Sequence, residues 1–278
     1  MLINSLEDFL KSIPTAEGSD WSALESFANS ADASVKSLLT GSDLYDYIEA
    51  LEEGESLRTT LANLIAFWLY KNAIPFIDLI QTNNGFAVVS NGNQAPASKE
   101  RVERLIKWCD ELIDKTTDLL IMQVVDNEDA MTEWAKFKRF NNLTNCFFWT
   151  GIDFAAYAKT ESGSRTEFLK AKSKLLTAQK NELPEVLSVD YINELIDGQR
   201  ANTLSDEDAY VVEVCKLALA KWYEDDEDEA EELLEKLIVL IENDIDTYET
   251  YKKSAEYALK ISAKYQNKQS DPTFFFGM

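Results

Sequence analysis

Apolar residues recur along most of this chain at steps of three and four, the spacing that gathers them on one face of an α-helix. Residues 2–13 read as a short helix stopped by Pro14. Helical pieces follow at 21–29 and 31–39, with Phe27, Ala31, Val35, Leu38 and Leu39 in register and Gly41 as terminator. Residues 44–51 give another piece, ending near Gly54. The first strong helix is 55–73, where Leu57, Leu61, Leu64, Ile65, Trp68 and Leu69 align. Pro75 ends or kinks it, since proline lacks the amide donor and crowds the preceding turn.

The pattern then changes. Asn84-Gly85 lies between 77–83 and 86–90, two runs rich in apolar residues. Asn-Gly accepts positive φ at both centres of a tight turn and is the strongest short hairpin signal. Two strands alone are marginal in water and need something to pack on. That support is either the chain's own helices or a neighbouring subunit. Residues 91–97 read as a loop. Ser98 is an expected N-cap and Glu100 an acid in the first turn, before a stripe of Val102, Leu105, Ile106, Cys109, Leu112 and Ile113 reaching about Val125.

Residues 128–140 are helical by the same spacing. The runs 147–149 and 152–158 fit strand or helix equally, and 161–164 is a polar loop. The last third is helical. Phe168 opens a helical run that continues toward Pro184, 189–196 ends at Gly198, and Ser205 caps a helix carrying Val211, Val214, Cys215, Ala218 and Trp222. A helix from about Asp228 carries Leu234, Leu237, Ile238, Ile241 and Ile245, and 248–265 completes the set. Together these predict a mainly α, multi-helical bundle with one β-hairpin inserted at about 77–90. A division falls near Asn127 or Gly163, and the expected organisation is an N-terminal subregion, 1–127, and a C-terminal one, 128–278, packed as parts of one unit.

Composition supports a sizeable core: 45% of the 278 residues are hydrophobic and 11% aromatic, with only nine Gly and five Pro to interrupt helices. Net charge is −23, which repels nucleic acid from the body of the protein, and no basic stripe stands out to offset it. Cys109, Cys146 and Cys215 are far apart and odd in number, and read as buried thiols. There is no secretory leader pattern and no apolar run of membrane-spanning length, so an intracellular product is expected.

Candidate chemistry is thin. The chain has no His, which removes the commonest general base, the Ser-His-Asp triad and most zinc sites. No Cys-x-x-Cys pair, Walker loop or Gly-x-Gly-x-x-Gly occurs. The acidic run 224–229 reads as a solvated loop whose later acids favour the next helix N-terminus. Phe147, Phe148 and Trp149 read as core, because base-stacking platforms come with basic grooves. Phe274, Phe275 and Phe276 leave two readings open, an exposed interaction site or a tail folded back over its own helices.

The helix leading to Pro75-Phe76, then Gly85-Phe86-Ala87-Val88-Val89, then the run 95–102, resembles an uncharacterised family from Bacteroides and relatives. The stretch 27–45, with Leu38, Gly41, Leu44 and Tyr45, is also similar, whereas the second half matches only in its helical pattern. That family is associated with prophage and tailed-phage structural genes. The resemblance implies a head-completion or neck adaptor, made in the bacterial cytoplasm and carried into the virion. Its implied partners are portal and tail-completion proteins or further copies forming a ring, with no sequence-specific nucleic acid and no membrane. It transfers no catalytic residues, cofactor or metal. The expected interface residues are Ile77, Leu79, Asn84, Gly85, Phe86, Val88, Phe274, Phe275 and Phe276. Two other readings stand beside this one: an acidic interaction protein or DNA mimic binding a basic partner, and a hydrolase built on paired carboxylates.

Overall fold

Helical periodicity in the sequence is matched by helix in the backbone. The computed structural model describes residues 1–14, 20–77, 79–82, 85–88 and 98–263, with backbone alone for 79–82, 85–88 and Ala263. It forms two compact units, Met1–Lys172 and Ser173–Met278.

The first unit begins with α1 (Leu6–Ser12), α2 (Trp21–Val35), α3 (Gly41–Ala50) and α4 (Ser56–Ile77). After the strands β1 (Leu79–Thr82) and β2 (Gly85–Val88) come α5 (Lys99–Val125), α6 (Glu128–Ala135), α7 (Phe140–Leu143), α8 (Gly151–Tyr157) and the start of α9 (Arg165–Asn181). Helix α4 is the centre. Leu61, Leu64, Ile65, Ala66, Leu69 and Ala73 are buried around it, because α2 packs along one side and α5 along another. A helix apolar on nearly every side is stable only when surrounded in this way.

Ile77 closes α4 instead of opening a strand, and Pro75 sits inside the helix. The missing proline donor falls in the last turn, where it costs one ladder bond and leaves earlier bonds intact. The backbones of β1 and β2 pair antiparallel, Leu79 opposite Val88 and Thr82 opposite Gly85. These eight residues are the strands among the described residues, and the described core is built mainly from helices.

Among the described residues, Ser5, Asp20, Asn127, Thr150, Ser164, Ser188, Ser205 and Ser254 each precede a helix and accept one of its first-turn amides through the side chain. Ser98 occupies the N-cap of α5 in extended conformation but makes no side-chain capping bond. The run 147–149 adopts neither regular form. It is an irregular, fully packed segment, with Phe148 edge-on to Phe154 at 5.3 Å and Trp149 Nε1 donating to the Cys146 carbonyl at 2.9 Å. Residues 152–158 are helical up to Tyr157.

Between α2 and α3, Lys36–Thr40 makes one π-helical turn that ends at Gly41, with φ +71° and ψ −178°. Only glycine adopts that conformation readily. A Cβ there would also lie 2.7 Å from the Phe137 ring. Gly41→Ala is therefore expected to cost about 2–4 kcal/mol, from backbone strain and overpacking together. Urea unfolding reads this directly, and a change below the usual surface-mutant range would contradict the packing described.

The second unit contains the rest of α9 and then α10 (Leu183–Val186), α11 (Val189–Ala201), α12 (Asp206–Tyr223), α13 (Glu227–Asn243), α14 (Glu249–Lys252) and α15 (Ala255–Ala263). Pro184 lies in the first turn of α10, where its missing donor is harmless. Helix α11 runs through Gly198 and stops at Asn202, which takes the left-handed conformation at φ +52°. The buried residues of this unit include Tyr191, Leu195, Val211, Cys215, Leu237, Ile241 and Tyr251, with the Tyr191 and Tyr251 rings 6.3 Å apart. Asn127, where the sequence placed a division, is the N-cap of α6 inside the first unit, while the boundary at Lys172–Ser173 falls within α9.

Candidate interaction surfaces

Thiol chemistry is ruled down by burial. Cys109, Cys146 and Cys215 are all buried, and desolvation pushes their thiols up to about 11, about 11 and about 12. They remain protonated at neutral pH and behave as small apolar groups. Among the described residues no group of three or more Cys, Asp and Glu is placed to hold a metal ion.

The most enclosed polar cluster is built on Asp118 of α5. One carboxylate oxygen accepts from Arg165 at 2.8 Å, and the other from the amides of Gly151 at 2.6 Å and Ile152 at 3.2 Å. Arg165 also donates to the Trp149 carbonyl at 3.3 Å. Asp118 thus satisfies the open N-terminus of α8, where the helix dipole favours an anion. Burial raises its pKa, and Arg165 and the two amides pull it back only in part. Gly151 permits the approach, since a Cβ there would stand 2.6 Å from the Ser164 carbonyl. Each oxygen is already engaged by the fold, so the cluster is a structural pin. Nearby, Lys172 donates to the carbonyls of Asn142 and Leu143 at 3.0 Å each and closes the end of α7, with burial lowering its pKa.

Two clefts open on the first unit. One, of about 460 Å³, is polar and lined by Lys11, Ser12, Glu53, Arg58 and Asn63. The other, of about 240 Å³, is largely apolar, with Leu38, Leu64, Trp68, Leu143 and Leu169 joined by Asp114 and Arg165.

The acidic run 224–229 is spread along the α12–α13 turn. Asp225 takes φ +61° and pairs with Lys174, Lys221 reaches Glu229 at 2.7 Å, and Glu227, Asp228 and Glu229 fill the first turn of α13. This is the solvated, helix-supporting arrangement that its position implies.

The expected interface residues are placed unequally. Ile77 is 49% exposed at the end of α4, beside Phe76, which is 59% exposed and stacked on Phe27 at 5.5 Å. Leu79, Gly85, Phe86 and Val88 lie on the paired strands by backbone. Asn84, Phe274, Phe275 and Phe276 fall outside the described residues. Sequence reasoning passed over the exposed apolar residues Trp108, Leu119 and Met122 on α5 and Val239 and Leu240 on α13. A helical wheel drawn for the polar side of each helix would have found them.

Residues 5–141, just under half of the chain, match a family of unknown function (DUF6712). No curated protein and no solved structure matches the chain. No described helix is long and apolar enough to cross a membrane.

Proposed function

We propose that the chain is a non-enzymatic protein–protein adaptor, and in particular a virion neck protein that joins portal and tail as a ring. The observation that carries the adaptor reading is the end of α4. Phe76 and Ile77 stand exposed there, shortly before two strands that, among the described residues, pair only with each other, the arrangement that strand augmentation uses. On this reading Ile77, Leu79, Asn84, Gly85, Phe86 and Val88 contact one neighbour, and Phe274, Phe275 and Phe276 another. The buried thiols and the fully engaged Asp118 carboxylate leave little for catalysis, which favours a structural role. An acidic surface suits a conduit that must not retain the DNA passing through it. The protein is then made in the bacterial cytoplasm and ends in the virion.

Binding to an assembled portal tests this. Replacing 78–90 by a short linker and deleting 271–278 is expected to abolish capture by portal particles. Undiminished capture would sink the site assignment, and absence of capture by the full chain would sink the neck reading. The acidic outer side of α13 favours a second reading, a mimic of nucleic acid that binds a basic enzyme. Recovery of a nucleic-acid enzyme in place of virion proteins, with strong salt dependence, would establish it.

A further inference from the structure

Helix α5 packs along α4 through Cys109, Ile113, Leu120 and Val124. Advancing about 100° per residue, its opposite side is a ridge of Arg101, Arg104, Trp108, Lys115, Leu119 and Met122, with Glu111 as the one acid between them. The ridge spans roughly 30 Å. Trp108, Leu119 and Met122 are 42%, 44% and 41% exposed, and the three basic residues are exposed as well. Scattered single apolar residues on a surface need no explanation, but three aligned with basic residues on one ridge do. In a chain of net charge −23 such a positive face is also an exception.

A complementary ridge exists on the same chain. Helix α13 buries Ala230, Leu234, Leu237 and Ile241, and its opposite side aligns Asp228, Glu232, Glu235 and Val239. Val239 is 57% exposed and the adjacent Leu240 41%. Glu232 holds Lys236 at 2.6 Å, an exposed pair that exchanges partners at little cost.

We propose that the outer ridge of α5 docks on the outer ridge of α13 of a second copy of this chain. Charge selects this pairing. Two α5 ridges would oppose like charges, and so would two α13 ridges, whereas a parallel mixed contact sets Arg101 against Glu232 and Arg104 against Glu235, at the same spacing on both helices. Trp108, four residues beyond Arg104, then covers Val239 and Leu240, four and five residues beyond Glu235, and removes them from water. The two ridges are different surfaces, so each copy can give one ridge to one neighbour and receive the other from the next, as a heterologous contact requires. This deepens the ring reading by naming the surfaces that join the copies, and it rests on that reading only for its purpose.

The test uses the purified full chain. Two differently tagged copies are mixed, and co-capture and sedimentation are measured at low and high salt. Wild type is expected to self-associate, more weakly in high salt. R101E/R104E/K115E alone and D228K/E232K/E235K alone are each expected to raise the dissociation constant by about tenfold or more, and mixing the two is expected to restore association. Circular dichroism checks that both variants fold. A monomeric wild type, or reversal variants that associate as well as wild type, would overturn the interface. So would capture of wild type by duplex DNA that R101E/R104E/K115E abolishes, because the ridge would then serve nucleic acid. A chain that associates through these ridges yet ignores portal particles keeps the interface and loses the neck reading. A chain that binds portal particles and lacks the ridge contact does the reverse.

Discussion

Asp118→Ala is expected to destabilise the protein by about 3–5 kcal/mol, the cost of leaving one member of a buried ion pair alone. Arg165 is only 11% exposed and Asp118 1%, so solvent cannot substitute for the lost carboxylate. The amides of Gly151 and Ile152 would lose their acceptor in the same step. Against a total stability of about 5–15 kcal/mol this is a large share. Asp118→Asn with Arg165→Met should fare much better, since the amide oxygen still accepts at the start of α8 and no charge remains buried. Chemical denaturation of the single and double variants checks this. A double variant no better than Asp118→Ala would show that the pair contributes more than its charges cost.

The pH behaviour separates this carboxylate from those on the surface. Burial holds the Asp118 pKa above its ordinary value, so its contribution to stability grows as pH falls through that raised pKa. Glu167 behaves oppositely. The amides of Glu161 and Ser162 hold its pKa low, so its contribution is present above the ordinary carboxylate range and lost as pH falls. Loss of stability in acid is therefore expected to come from residues held low like Glu167, and removing Asp118 is not expected to protect against acid.

Trp134→Ala is the second large effect, expected at about 3–5 kcal/mol. The side chain is 2% exposed, meets Phe140 edge-on at 5.2 Å, and donates Nε1–H to the Leu39 carbonyl at 2.7 Å. That bond ties α6 to the π-helical turn, 95 residues away in the chain. Trp134→Phe retains much of the ring volume and loses the donor, and should cost about 1–3 kcal/mol. Thermal and urea unfolding of the pair separate packing from the hydrogen bond. Equal losses in both variants would mean that the bond, not the ring, holds the turn.

These two sites mark the limit of what the sequence discloses. Apolar spacing located α4, α5, α12 and α13, because burial of one face dictates it. It could not locate Asp118, a polar residue flanking the buried stripe of Ile113, Thr117 and Ile121, whose partner Arg165 lies 47 residues on. An acid beside an apolar stripe and an arginine opening a distant helix are each ordinary alone. The division expected at Asn127 falls on the short turn between α5 and α6, which pack against each other within the first unit. Of the expected interface, Ile77 proved to be the last exposed residue of α4. Apolar spacing does not disclose the α5 ridge, because Trp108, Leu119 and Met122 stand opposite the buried stripe that sets the spacing.

The Asp118 pin also bears on how this protein can be divided. The stretch shared with the family of unknown function ends at residue 141. It includes Asp118 but stops short of Gly151, Ile152 and Arg165, and of Trp149, which belongs to the same core as α4. A gene fragment cut at the family's edge would encode a buried acid with nothing to answer it. The unit that folds is longer than the unit that sequence comparison recognises, so any exchange of this segment between proteins must carry a replacement for α8 and the start of α9 along with it.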